Sequence, residues 1–386
     1  MLEFGHGVRA LWPLAPDIVY LNHGTVGVTP IEVLEAQEAL RRQIESQPAG
    51  YMRHQLIPAL RQAAETAADL FGGRGPDYVF TENATAGINA VLRSLDLKMG
   101  DEILVSDHTY GAVRNAAAYA CRQAGATLVT VKVPFPLKAA SDVVDAVAEG
   151  LSARTRLAIV DHITSETALV LPLAEIVALC RANGTQVLVD GAHAPGTLPL
   201  DIPSLGCDWY AANLHKWFFA PRGCGLLWAS AEAQASLHPA SISWRLDEGF
   251  TAEFDWTGTR DFTSYLCFPD AARFMAKLGV ESVRDYNHAT VLQGAAVLAD
   301  RFGSDYSPAH RQTAAMALAP LPDGFSPTRE TADAVRDALL FEHRIEVPII
   351  PFGERLWARL AAQVYCEEDD FARLADALGA LRPSSA

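Results

Sequence analysis

Between residues 78 and 228 the chain repeats one pattern, and that pattern restricts the fold more tightly than any other feature of the sequence. Short apolar runs at 78–81, 103–105, 128–133, 157–160 and 186–189 are separated by longer segments of helical composition at 84–95, 111–124, 141–151 and 173–182. The runs are rich in Val, Ile and Leu, as strands buried on both faces of a parallel sheet require. Right-handed crossovers then put helices on both faces, and ligands bind beyond the carboxyl ends of the strands. The expected fold class is α/β, a three-layer α/β/α sandwich with a mostly parallel sheet.

The regularity stops near residue 228. A loop-rich segment at 238–263 holds Trp244, Trp256 and Arg260, and a helical stretch follows at 269–299. Short strands at 314–318, 347–350 and 360–365 then mix with helices at 331–341 and 370–381, which suggests a smaller C-terminal α+β domain. A chain of 386 residues suits such a division. The expected parts are an N-terminal segment 1–17 packing on the small domain, a large domain 18–265 and a small domain 266–386. Near the start, a strand-like run at 18–21 leads into Asn22-His23-Gly24-Thr25, and residues 31–71 are helical with breaks near 47–50 and at Pro58.

A net charge of −15 argues against nucleic acid or an anionic membrane as partner. No run approaches the length of a membrane span, and the N-terminus lacks the pattern of a signal peptide. The six cysteines have no metal-ligand or disulfide spacing, which suits reduced thiols in a cytoplasm and no metal site.

Two charged residues sit where apolar runs end. Asp190 closes the run at 186–189, and Lys216 follows the run at 209–212, beside Trp217-Phe218-Phe219. A partly desolvated lysine has a lowered pKa and offers the neutral amine that a Schiff-base lysine needs. A carboxylate closing a buried strand is what a pyridoxal ring nitrogen requires. Each has a plainer reading: a surface lysine after an apolar run, and a turn cap before a glycine. The turn Thr81-Glu82-Asn83-Ala84-Thr85-Ala86-Gly87 opens a helix and forms an anion site, although Asn and Thr are also ordinary N-caps. In Asp107-His108-Thr109-Tyr110 an imidazole is placed to stack on a ring, or to serve the structure alone.

The motifs VDGAHAPG, NLHKW with APRGCG after it, TENATAGINAV and WTGTRD together resemble class V aminotransferase-type enzymes, which are fold type I pyridoxal-phosphate proteins. YLNHGTVGVTP, DHTYGAVRNA and DHITSETALVLP resemble the isopenicillin N epimerase-like branch. The resemblance covers about 18–265. It implies pyridoxal 5′-phosphate held by Lys216, which also shuttles the Cα proton, with Asp190 on the ring nitrogen, His108 stacked on the ring and His193 beside it. It implies Ala84, Thr85, Asn213 and His215 at the phosphate and a polar partner for the ring hydroxyl in Thr164-Ser165, Ser165 preferred. It further implies Arg359 on the substrate carboxylate and Thr259 reaching the phosphate of a neighbouring subunit, hence a homodimer. Asn22 and His23 stand as substrate contacts. RLAAQVYCEEDD departs from the family's usual arginine motif.

The expected activity is chemistry at the Cα of a small-molecule amino acid, epimerase-like. β-Eliminating C–S lyase and aminotransferase are the alternatives, and a cofactor-binding scaffold without turnover is the alternative from another class. Cysteine desulfurase is disfavoured, because no cysteine lies between Cys267 and Cys366 to serve as a mobile nucleophile.

Overall fold

The computed structural model describes residues 3–381. Its strands are β1 (Val19–Tyr20), β2 (Tyr78–Thr81), β3 (Glu102–Ser106), β4 (Thr127–Val131), β5 (Thr155–Asp161), β6 (Gln186–Asp190), β7 (Trp209–Asn213), β8 (Gly225–Ala229), β9 (Met316–Pro320), β10 (Ile345–Glu346), β11 (Ile349–Phe352) and β12 (Arg355–Ala361). Seven of them form the central sheet in the order β2-β8-β7-β6-β5-β3-β4.

The neighbours from β7 to β4 run parallel, and β8 runs antiparallel to both β7 and β2. A parallel return needs a crossover of a dozen or more residues, usually a helix. Between β7 and β8 the chain supplies only the loop 214–224, so β8 comes back antiparallel. Helices Ala84–Ser94, Gly111–Ala124, Ser141–Gly150 and Leu173–Ala182 make the crossovers, as the apolar pattern predicts. The central strands β5, β6 and β7 are buried almost throughout, and their apolar side chains fill the cores above and below the sheet.

Two features of the sheet position the site. Asp161 and Asp190 are register partners at the carboxyl ends of β5 and β6, so their side chains leave the same edge side by side. The loop after β7 is pinned from beneath: Leu214 and His215 donate their amides to the Cys224 carbonyl at 3.0 and 3.2 Å. Gly27, at φ +67°, presses against that loop; a Cβ there would lie 2.0 Å from the His215 carbonyl oxygen, so no other residue fits.

The C-terminal region forms an antiparallel sheet, β11-β12-β9, and β1 pairs parallel with β10. Two expectations are corrected here. The helical stretch at 269–299 is two helices, Phe268–Leu278 and Val280–Phe302, because Gly279 takes φ +85° between them. The last strand lies at Arg355–Ala361 rather than 360–365, and residues 362–367 lead instead into the helix Glu368–Leu381. Ahead of β1, the Gly5 amide donates to the Val364 carbonyl at 2.7 Å, and Trp12 packs edge-on against Tyr365 at 5.0 Å. All six cysteines are buried free thiols. Among the described residues, no helix is long and apolar enough to cross a membrane.

Candidate active site

A cavity of ≈ 200 Å³ lies at the carboxyl ends of β5, β6 and β7. It brings together Ala84, Thr85, Ser165, Asp190, His193, Asn213, His215 and Lys216, eight of the residues singled out from the sequence.

The lysine stands at its centre. Burial pulls the Lys216 pKa down to about 7; the Arg359 guanidinium adds to the depression and Asp190 opposes it. Its Nζ lies 3.3 Å from His193 Nε2. Its backbone is fixed by His23, whose Nε2–H donates to the Lys216 carbonyl at 3.0 Å while Nδ1 accepts from the Tyr365 hydroxyl at 2.7 Å. His23 is therefore a buried anchor of the lysine loop and not a substrate contact. Asn22 is also drawn away from the cavity, since its side-chain amide donates to Glu346 at 3.1 Å.

At the acidic end, Asp190 accepts the Ala192 amide at 3.0 Å. Burial pushes its carboxyl up, and that of Asp161 well above the usual range, Asp161 also feeling the charge of Asp190. One oxygen of Asp161 is buried with no partner. Two carboxyls side by side in low dielectric do not both ionise, and the higher-pKa Asp161 keeps the proton.

At the opposite end, Asn83 caps the helix Ala84–Ser94 by accepting the Ala86 amide at 2.8 Å. Asn213 takes the Ala84 amide at 2.8 Å. The Ala84 N–H expected for an anion is thus already used, and Thr85 is the residue of this turn left to meet one. His215 donates Nδ1–H to the Cys224 carbonyl at 3.0 Å, and burial lowers its pKa to about 4.

Arg359, from β12, is not itself in the lining and sits behind two residues that are, Thr25 and Ser165. Its Nη1 donates to the Ser165 carbonyl at 2.6 Å and its Nη2 to the Thr25 hydroxyl at 2.6 Å. Its Nε is buried without a partner, and no carboxylate pairs with it among the described residues. Glu166 acts on Arg359 only from a distance, and a buried guanidinium with no direct ion pair can receive an anion.

Besides His23 and Asn22, two more expected residues, His108 and Thr259, do not line the cavity. His108 is buried behind its wall, Nδ1 accepting from the Thr167 hydroxyl at 2.6 Å and Nε2–H donating to the Val133 carbonyl at 3.1 Å. Tyr110, two residues on, lines the cavity instead. Thr259 lines a separate surface hollow with Arg53, Trp244 and Trp256. Thr164 is turned inward to Thr167, which leaves Ser165 as the polar residue of that pair in the lining. Thr25, Tyr110 and Asp161 were missed. Asp161 carried the same signal as Asp190, an acid ending an apolar run.

The model of the class V aminotransferase family matches residues 19–319. The chain belongs to that family. This class V protein is 32% identical to the isopenicillin N epimerase of Streptomyces clavuligerus over 388 residues, covering 95% of this chain and 96% of that one. It is also 32% identical to a putative L-cysteine desulfhydrase of Oryza sativa subsp. japonica over 368 residues, covering 90% and 75%. Among solved structures, C-DES with glycine covalently linked to its pyridoxal-phosphate cofactor superposes with a TM-score of 0.79 at 26% identity, covering 96% and 98%.

The cofactor of this class V protein is pyridoxal 5′-phosphate. The residues present fit it: a depressed lysine, a buried acid pair with an unpartnered oxygen at one end, and a capped helix N-terminus at the other.

Proposed function

We propose that the protein acts at the Cα of an amino acid and that its reaction is epimerisation. Pyridoxal phosphate supplies the electron sink that acidifies the Cα–H bond. The observation that carries this reading is a pair of proton-exchanging side chains from separate walls of the cavity. Lys216 lines it from the loop after β7 and Tyr110 from the loop after β3, with β5 and β6 between those strands. Epimerisation takes a proton from one face of Cα and returns one to the other. Lys216, neutral above about pH 7, takes it. Tyr110, 44% exposed, returns one and recovers its own from water. Asp190 serves as counter-ion to the ring nitrogen, Thr85, Asn213 and His215 hold the phosphate, Ser165 meets the ring hydroxyl, and Arg359 holds the substrate carboxylate.

The second reading is β-elimination from a sulfur amino acid. It is favoured by the desulfhydrase relative and needs only the one base, Lys216. A persulfide-forming desulfurase is not supported, because none of the six cysteines lines the cavity.

The test is turnover in deuterated water with chirality, pyruvate and keto acid followed together. Racemised, deuterated amino acid without keto acid is expected. Pyruvate with ammonia replaces epimerisation by elimination, and keto acid only on adding an acceptor replaces it by transamination. Tyr110→Phe separates the first two: racemisation falls by about 10²–10⁴-fold while Cα exchange on one face persists. Equal loss of both removes Tyr110 as the second proton donor.

The same reading includes a homodimer. Trp244 is 92% exposed, its chain neighbours Ile242 and Leu246 are exposed too, and the ≈ 700 Å³ hollow that Trp244 lines is also lined by Thr259. Apolar groups of that size gathered at one place call for a cover. Sedimentation should give twice the chain mass, and Trp244→Arg should return it to one. A single mass for the unchanged chain would leave Thr259 without a phosphate to reach.

A further inference from the structure

Trp217 follows the lysine directly, yet its indole reaches the cavity's chemistry only through a histidine. Trp217 Nε1 lies 3.3 Å from His193 Nδ1, in the buried interior. An indole N–H is a donor and nothing else, so Nδ1 must present its lone pair. That requirement rules out the imidazolium, in which both nitrogens are donors, and the Nδ1–H tautomer. The ring is neutral, with its proton on Nε2.

Nε2 faces Lys216 Nζ at 3.3 Å. An ammonium has no lone pair to accept with, so this contact is a hydrogen bond only when Lys216 is a neutral amine. We infer that Trp217 is a positioning residue for the lysine: by setting the tautomer of His193 it turns an N–H donor toward Lys216 Nζ and holds that nitrogen as a free amine.

The arrangement is rigid. Trp217 is 1% exposed, its ring packs against His23 at 5.1 Å, and Gly196 leaves room for its carbonyl where a Cβ would come within 2.5 Å. Other charged groups bear on the pair. Asp190 from β6 favours the ammonium, while Arg359 from β12 disfavours charge on both Lys216 and His193. Trp217 adds to these a geometric term, a proton fixed at one ring atom.

The consequence for cofactor capture rests on Lys216 being the cofactor lysine; the tautomer does not. Both are tested on the full chain freed of cofactor. With ¹⁵N-labelled histidine, long-range ¹H–¹⁵N correlation should show His193 unprotonated at Nδ1 and protonated at Nε2 through the neutral pH range. Trp217→Phe keeps the ring and removes the donor. The Nδ1–H tautomer should then appear, turning an acceptor toward Lys216. The pH midpoint for the rate of pyridoxal-phosphate capture should rise by about one unit, so that capture below the midpoint slows about tenfold. A proton on Nδ1 in the unchanged chain overturns the inference, as does an unmoved midpoint in folded Trp217→Phe. Should that variant not fold, the tautomer of the unchanged chain decides alone. If pyridoxal phosphate is not captured while Nδ1 accepts, the cofactor reading of the site fails and the tautomer link stands.

Discussion

Lys216→Ala is expected to abolish covalent capture of pyridoxal phosphate and to lower turnover by roughly 10³-fold or more. The size follows from one side chain serving two steps, as the amine that binds the cofactor and as the base for the Cα proton. No neighbour replaces it. Arg359, even with its pKa lowered to about 10, stays a cation at neutral pH, and His193 offers its Nε2 proton outward rather than a lone pair. The fold should survive, because the substitution removes a side chain whose charged form burial disfavours. Visible absorbance after dialysis and borohydride reduction checks the capture, and amino-acid assays check the turnover. A persistent cofactor band in Lys216→Ala would place the attachment elsewhere. A band in the unchanged chain with no turnover over a broad panel of amino acids and sulfoxides would favour a cofactor-binding scaffold.

The sheet was legible because apolar runs and helical segments alternate, and buried parallel strands leave that trace wherever they occur. The same logic found Asp190 and Lys216, since a charge ending an apolar run is costly unless it has a use. It also covered Asp161, whose significance appears only when the register sets it beside Asp190. What the sequence does not show is where a side chain points once the strand has ended. His108 and Tyr110 lie two residues apart in one turn, and the Thr167 and Val133 partners that draw His108 inward come from distant segments. His23 looks like a polar tip because Tyr365, its partner 342 residues away, is invisible locally. The antiparallel course of β8 depends on the absence of a crossover, a matter of loop length and not of residue type.

The two acids should respond very differently to loss of charge. Asp190→Asn removes the counter-ion of the ring nitrogen and should lower turnover by about 10²–10³-fold, on the scale of losing one preorganised electrostatic contact, while covalent capture by Lys216 persists. Asp161→Asn should change turnover by less than about tenfold. Burial and the neighbouring Asp190 push the Asp161 carboxyl well above its ordinary range, which favours its uncharged form, and an amide of the same shape resembles that form. The sign can be checked through pH. A carboxyl whose folded pKa is raised destabilises the fold as pH climbs from its unfolded value toward the folded one, because the unfolded chain ionises first. Replacing Asp161 by Asn should therefore raise the melting temperature of the cofactor-free chain at neutral pH and leave it unchanged in acid. Equal losses of turnover in the two variants would mean that Asp161 carries charge in the working site, and the division of roles between the acids would have to be reversed or shared.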